Sequence, residues 1–221
     1  MIGKILDKIG LTSNIVRRDL KRFMAAHGDP GLTLDIGCGY AFYREYFPNR
    51  IAFDIRPLPG VDVVGDAHRL PFEDEKFDNI LCTEVLEHLK EPAVAISEMR
   101  RVLKMGGKLI LTTRFFCPLH DVPDDYYRFT KYGLKYLLRD WEILELREET
   151  HAIKTLAYLV QRIGYQCEIL HFRPFRLIFF LSAKILSLFP RIITKEYGDI
   201  SKKTIEKNIM TTGYDLVCRK K

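Results

Sequence analysis

Leu34-Asp35-Ile36-Gly37-Cys38-Gly39-Tyr40-Ala41 is the stretch on which the fold reading turns. The apolar run Leu32 to Ile36 reads as a strand, and Gly37-Cys38-Gly39 as the tight turn that ends it. Neither glycine carries a Cβ and both accept positive φ, so the backbone there can pass close to a ligand. In a dinucleotide-binding fingerprint a third glycine would follow five residues after Gly37, where Phe42 stands. Asp35, beside the turn, would repel a pyrophosphate but can accept hydrogen bonds from an ammonium group. Both features count against NAD.

Outward from this turn, residues 32–150 alternate short strand-like runs with helical stretches, the pattern of a parallel sheet wound with helices. Further strands are expected at Ile51–Ile55, Val61–Val64, Phe77–Cys82, Lys108–Thr113 and Trp141–Leu146. A last one is expected at Tyr214–Cys218. Glu91 to Leu103 carries Ala95, Met99, Val102 and Leu103 at helical spacing. Ser13 is a candidate cap for a helix running to about Ala26, closed by His27-Gly28. Residues 151–197 read as helices. The expected architecture is an α/β, doubly wound, mostly parallel seven-stranded Rossmann-like sheet. Residues 1–30 form an N-terminal helical segment and residues 31–221 one domain, with a helical, apolar and basic insertion over 151–205.

Composition bounds what such a fold can be. The 221 residues are 47% hydrophobic and 29% charged, the mix of a globular protein with a real core. Five cysteines (38, 82, 117, 167, 218) show no Cys-x-x-Cys pair, which argues against a disulfide framework or a zinc knuckle and suits a reducing cytoplasm. The net charge of +6 is unevenly placed. Residues 31–170 hold eighteen Lys/Arg against twenty-two acids, whereas residues 171–221 hold eleven against four and residues 1–30 six against three. A uniformly basic chain would suggest nucleic acid. A near-neutral or acidic middle with basic ends suggests a binding core whose appendages meet something anionic. No signal peptide or membrane span is read, since the most apolar stretch, Leu177 to Phe189, contains Lys184 and falls short of the roughly 20 residues a span needs.

The Asp35-Ile36-Gly37-Cys38-Gly39-Tyr40-Ala41 turn resembles motif I of the class I S-adenosylmethionine-dependent methyltransferases, with Ala41 in place of the last glycine. The resemblance continues in order along residues 32–113. It implies that Asp54, with Ile55 after it, holds the two ribose hydroxyls, a bidentate contact suited to a carboxylate. It implies that Gly65-Asp66-Ala67 sets Asp66 against the adenine amino group. Thr83-Glu84-Val85-Leu86-Glu87-His88-Leu89 is similar to the stretch lining the methionine end, which adds Thr83, Glu84 and His88 to the cofactor set of Asp35, Gly37, Gly39, Asp54, Ile55, Asp66 and Ala67. Arg101-Val102-Leu103-Lys104-Met105-Gly106-Gly107 looks like the turn into the fifth strand. Taken singly, each acid reads equally well as a strand-end, N-cap or turn residue. Together all three fall just after consecutive strands, on the edge where open α/β sheets bind ligands.

After the fifth strand, His120, Asp121, Pro123 and the run Asp125-Tyr126-Tyr127-Arg128-Phe129-Thr130 resemble a segment of a methyltransferase subgroup linked to polysaccharide or glycolipid modification. His120 is the candidate general base, because an imidazole titrates near pH 6.5 and can take a hydroxyl proton. Tyr127 and Arg128 are candidate substrate contacts. Arg128 holds an anionic group or pairs internally with Asp124 or Asp125, and this run equally reads as a loop pinned to the sheet. Cys38 and Cys82 read as small fillers, Cys117 has no third group to make a thiol–imidazole pair with His120, and no metal-ligand spacing is read.

In residues 173–195, Arg173, Arg176, Lys184, Ser187, Arg191 and Lys195 fall at helical spacing. Leu177, Ile178, Leu181, Ile185, Leu188 and Phe189 spread over the rest of the helix, and Pro190 ends or kinks it. This describes either a helix lying in a membrane interface or one packed over the sheet or capping the cleft. Ile2, Ile5, Leu6 and Ile9 with Lys4 and Lys8 form a weaker case. The expected function is S-adenosylmethionine-dependent methylation, at oxygen, of a small or lipid- or glycan-linked acceptor, in the cytoplasm and at a membrane surface. The alternative is a non-catalytic S-adenosylmethionine-binding scaffold.

Overall fold

The computed structural model describes residues 17–39, 43–167, 175–189 and 192–221, with side chains from Leu20 onward. Ser13, the N-terminal apolar pattern, Tyr40, Ala41, Phe42, Arg173, Pro190 and Arg191 lie outside the described residues. The chain divides into two compact units, one of Met1–Asp19, Phe116–Pro118 and Glu148–Thr212, the other of Leu20–Phe115, Leu119–Arg147 and Gly213–Lys221.

The second unit holds the sheet. Helix α1 (Arg17–Ala26) precedes β1 (Thr33–Ile36), β2 (Arg50–Asp54), β3 (Val63–Val64) and β4 (Phe77–Thr83). A 3-10 turn (Leu86–His88) and helix α2 (Pro92–Val102) lead to β5 (Leu103–Arg114), helix α3 (Lys131–Leu137) and β6 (Trp141–Glu148). The last strand of this sheet is Gly213–Lys220. From edge to edge the order is β3-β2-β1-β4-β5, then Gly213–Lys220, then β6. β1 runs parallel to β2 and β4, with Asp35 beside Ala52 and Leu81, and the last strand pairs antiparallel to β5 with Leu111 opposite Leu216. This is the Rossmann-like sheet read from the sequence.

Alternation along the central strands builds two core layers, because successive side chains point to opposite faces. Ile80 and Cys82, Leu109 and Leu111, and Leu216 and Cys218 pack with Ala95, Ile96, Met99 and Val102 of α2. Leu81, Ile110 and Val217 pack on the other face with Leu20, Phe23 and Met24 of α1 and with Phe47. Arg101, at the end of α2, reaches the carbonyls of Leu70 and Phe72 and the carboxylates of Glu98 and Asp74, fixing the segment that leads into β4.

The first unit is described by itself. Helix α4 (Ala152–Gln166) and helix α5 (Phe175–Ser187) pack through Gly164, where an added Cβ would press on the Phe180 ring, and through Tyr165 against Phe180. A two-stranded ribbon, β7 (Tyr197–Asp199) with β8 (Thr204–Ile205), follows. The strand Gly213–Lys220 is therefore β9. Buried threonines tie the ends of this excursion: Thr150 N–H donates to Thr211 Oγ1 at 3.1 Å and Thr212 N–H to Thr150 Oγ1 at 2.9 Å.

Several sequence expectations shift. β5 starts at Leu103 rather than Lys108, because Leu103 already pairs with Phe77 before a register shift. α2 therefore stops at Val102, and β2 ends at Asp54, one residue before Ile55. The all-helical reading of 151–197 is corrected at its end by Tyr197, which enters the β7–β8 ribbon.

Gly37 is the position where the turn tolerates no side chain. Its φ is +67° and an added Cβ would collide with Val85 Cγ2. Gly37→Ala is expected to destabilise the protein by about 2–4 kcal/mol, combining left-handed strain with overpacking. Urea unfolding measures this, and a loss under about 0.5 kcal/mol would contradict it.

Candidate functional site

β1, β2, β3 and β4 run parallel, so their carboxyl ends share one edge of the sheet and the loops leaving them collect there. The Gly37 and Cys38 N–H groups donate to the Phe53 carbonyl at 2.8 and 3.2 Å, which ties the glycine turn to the end of β2. Around Gly39, at φ +50°, an added Cβ would meet no atom of the described residues within 4 Å. Such a turn lets the backbone come close to a ligand.

Asp54 is the hub of this edge. It is buried, its Oδ2 accepts the Gly39 N–H at 3.1 Å, and its Oδ1 accepts the Arg56 N–H at 3.0 Å and Nε–H at 3.2 Å. Burial pulls its carboxyl up, but the Arg56 and Gly39 donors outweigh that and hold it below the usual carboxylate value. The Arg56 side chain is 62% exposed, so its guanidinium lies at the solvent-facing side of this pair. Ile55, next to this carboxylate in the chain, leaves 70% of its surface exposed.

Asp35 sits differently. It is 2% exposed and forms a short buried ion pair with Arg50, at the other end of β2, so it accepts from this chain's own guanidinium. That differs from the ammonium-accepting position expected at sequence level. Its carboxyl is pushed up to about 6 by burial, against the pull of Arg50. Cys38 and Cys82 are buried thiols shifted upward by desolvation, as fillers should be.

Asp66 is exposed, its carboxylate lowered first by the His68 N–H and then by the His68 ring at 2.5 Å. His68 Nε2 accepts the Glu91 N–H at 3.1 Å, so Nδ1 carries the proton given to Asp66. This bridge joins the loop after β3 to the start of α2. Ala67, next to Asp66, is buried.

At the end of β4, Thr83 pairs with Thr112 and is half-buried, and Glu84 takes φ +57°. Such a backbone in a non-glycine residue costs on the order of 1–3 kcal/mol and persists only where neighbours hold it. Here Thr112 Oγ1 donates to Glu84 Oε1 at 3.0 Å and Arg114 pairs with Oε2. Glu87 is fully buried. Burial, then the negative charge of Glu84, pushes its carboxyl up to about 8. Thr113 Oγ1 donates to Glu87 Oε2 at 2.8 Å, and Oε1 has no hydrogen-bond partner.

Residues 119–130 close over this turn. Tyr126 and Tyr127 N–H both donate to the Glu87 carbonyl, at 3.0 and 3.1 Å, and His88 Nδ1 donates to the Asp124 carbonyl at 2.6 Å. Arg128 grips Asp125 through two contacts of 2.6 Å, and Asp125 Oδ2 accepts the His120 N–H at 2.9 Å. Of the two readings left open for Arg128, this arrangement is the internal pair. Tyr127 Oη donates to the Lys90 carbonyl at 2.9 Å. His120 stacks edge-to-face on His88 with ring centroids 4.8 Å apart. The neighbourhood of His88 and His120 escaped the sequence reading, since they stand 32 positions apart. Cys117, in the first unit, has its Sγ 3.1 Å from Tyr158 Oη.

Residues 34–111 match a family model described as a methyltransferase domain. A ubiquinone biosynthesis O-methyltransferase of Alkalilimnicola ehrlichii is 30% identical over 139 residues, 49% of this chain and 52% of that protein. A demethylmenaquinone methyltransferase of Renibacterium salmoninarum is 44% identical over 57 residues, 25% of this chain and 24% of that protein. The chain spans about half the length or less of these relatives. The 1,6-didemethyltoxoflavin-N1-methyltransferase of Burkholderia thailandensis, solved with S-adenosylhomocysteine, aligns over 95% of this chain and 80% of its own at TM-score 0.55 and 16% identity. The cyclase SpnF aligns over 91% and 79% at TM-score 0.54 and 21% identity. At these identities the structures show a shared fold.

The Arg128–Asp125 pair has a pH signature. Arg128 holds the Asp125 carboxyl down to about 2, below its usual value near 3.8, so the pair stabilises the fold above about pH 4 and this contribution is lost as pH falls toward 2. Thermal melts from pH 5 to 2 should therefore decline more steeply for wild type than for Asp125→Asn, and parallel curves would contradict the pairing.

Proposed function

We propose that this chain, whose residues 34–111 belong to the methyltransferase-domain family of class I S-adenosylmethionine-dependent enzymes, binds S-adenosylmethionine at the carboxyl edge of its sheet and methylates a small or lipid- or glycan-linked acceptor at oxygen. The observation that carries this reading is Asp54. It is a buried carboxylate at the end of β2, beside the glycine turn, and among the described residues its side-chain partner is the exposed Arg56.

The residues present fit the cofactor. Asp54 takes the ribose hydroxyls once Arg56 swings off, Ile55 lays an apolar face on the adenine, and Asp66 reaches its amino group with Ala67 packed behind. Gly37 and Gly39 let the backbone come close, and the charge of Asp35 is met by Arg50. Thr83, Glu84 and His88 line the methionine end. The chemistry such a cofactor supplies is a methyl group on a positively charged sulfur, open to in-line attack. The protein's main task is then to align an acceptor oxygen and take its proton. His120, whose backbone N–H donates to Asp125 and whose Nδ1 lies 3.5 Å from the same carboxylate, is the group assigned to that proton, with Tyr127 and Arg128 shaping the acceptor side.

A membrane-surface role rests on α5. Its Ile178, Leu181 and Ile185, with Leu188 and Phe189 after it, are exposed alongside Lys184, the mixture that suits an interfacial helix. Among the described residues no helix is long and apolar enough to cross a membrane. Placement in the cytoplasm accords with five unpaired cysteines. The scaffold alternative keeps the same pocket without turnover, and SpnF, a cyclase on a similar fold, illustrates that fold alone does not carry the reaction.

Calorimetry with S-adenosylmethionine is expected to show one site, weakened about 10- to 100-fold by Asp54→Ala, the worth of losing charge-assisted hydrogen bonds. No binding by wild type would end this reading. S-Adenosylhomocysteine released only when a membrane extract is present separates enzyme from scaffold. In flotation with anionic vesicles the wild type should rise with the lipid and Leu181→Glu/Ile185→Glu should not, and equal flotation would remove α5 from the membrane.

A further inference from the structure

From the cluster formed by Glu87, His88 and His120 we infer a binding site for a divalent transition-metal ion such as Zn²⁺, set at the end of β4 beneath the 119–130 loop. One ligand atom from each of these residues lies within 4.8 Å of the other two. Zinc bonds to nitrogen and carboxylate oxygen run about 2.0–2.2 Å in a tetrahedral arrangement, which puts ligand atoms about 3.4 Å apart. Binding therefore requires the two half-buried imidazoles to turn inward by about an ångström.

Three features of the surroundings support the site. First, Glu87 is fully buried, spends Oε2 on Thr113, and leaves Oε1 without a hydrogen-bond partner. An unsatisfied buried carboxyl oxygen is costly, and a cation is the partner that removes that cost. Second, the Asp124 carbonyl can only accept, so the 2.6 Å contact fixes the proton of His88 on Nδ1 and turns Nε2 into the lone-pair nitrogen. A backbone carbonyl on the far nitrogen is the usual orienting partner of a metal-bound histidine. Third, His120 Nδ1 lies 3.5 Å from both the Asp125 carboxylate and Arg128 Nη2, and the Asp125 carboxylate, gripped by Arg128, also accepts the His120 N–H and so fixes the backbone that carries this ring. Two imidazoles and one carboxylate suit zinc and its first-row neighbours rather than magnesium or calcium, which prefer all-oxygen sets.

Three protein ligands leave coordination positions for something else. Granted the methyltransferase reading, on which this step rests, a cation here would lower the pKa of an acceptor hydroxyl presented to it. The oxygen would then form its bond to the methyl carbon as the carbon–sulfur bond breaks, with the electron pair returning to sulfur and the hydroxyl proton passing to solvent. His120 would then hold the ion rather than remove the proton itself.

The test titrates Zn²⁺ into the chelator-treated full-length protein by calorimetry, with Co²⁺ absorption as a second readout. One ion per chain is expected at micromolar affinity or tighter, with a Co²⁺ spectrum free of thiolate charge-transfer bands. His88→Ala and His120→Ala should each weaken binding at least about tenfold while keeping the wild-type circular dichroism. Glu87→Gln should do the same and, if it fails to fold, the two histidine variants decide alone. Cys167→Ser, at the exposed thiol, and Asp54→Ala should leave Zn²⁺ binding unchanged, so a failure here is distinguishable from loss of the cofactor pocket. Absence of binding, or affinity unaltered in both histidine variants, would overturn the proposal.

Discussion

Two carboxylates at the ends of neighbouring strands, Asp35 and Asp54, are buried within the same small volume, and the site depends on satisfying each by different means. Asp35 is met by the Arg50 guanidinium, itself only 6% exposed in its side chain. Breaking such a pair by removing one partner costs about 3–5 kcal/mol, because the other charge stays behind in a poor solvent. Asp54 is met by the Gly39 N–H and by Arg56. The first carboxylate is thereby committed to structure, and the second keeps a replaceable partner.

That division explains why the glycine turn has its shape. Gly37 and Cys38 donate to the Phe53 carbonyl and Gly39 to the Asp54 carboxylate, so the turn is hung from the end of β2. Val85, from the loop after β4, fills the space against Gly37 where a side chain would stand. Three parallel strands thus converge on one backbone turn.

Much of this was legible in the sequence. The positions of the strands along the chain, the acids at their ends and the Gly-x-Gly turn follow from short apolar runs cut by turn residues, while the two-sided packing of Ile80, Leu81 and Cys82 is shown by the structure. The partner of Asp35 was not legible, since Arg50 lies fifteen positions away and meets it only because β1 and β2 pair with Thr33 beside Arg50. Nor was the gathering of Glu87, His88 and His120, which requires a loop to fold back until Tyr126 and Tyr127 bond to the Glu87 carbonyl. The start of β5 was hidden for a third reason: Lys104, Met105 and Gly106 are exposed and carry no strand-like alternation, although Leu103 pairs with Phe77. Local pattern reports elements, while sites built by loops depend on long-range closure.

The most direct measurement of the central claim is a crystal structure of the protein soaked with S-adenosylhomocysteine. It should show the two ribose hydroxyls on the Asp54 carboxylate, the adenine against Ile55, and the Arg56 guanidinium displaced. A nucleoside bound elsewhere, or Asp54 still holding Arg56 with ligand present, would contradict it.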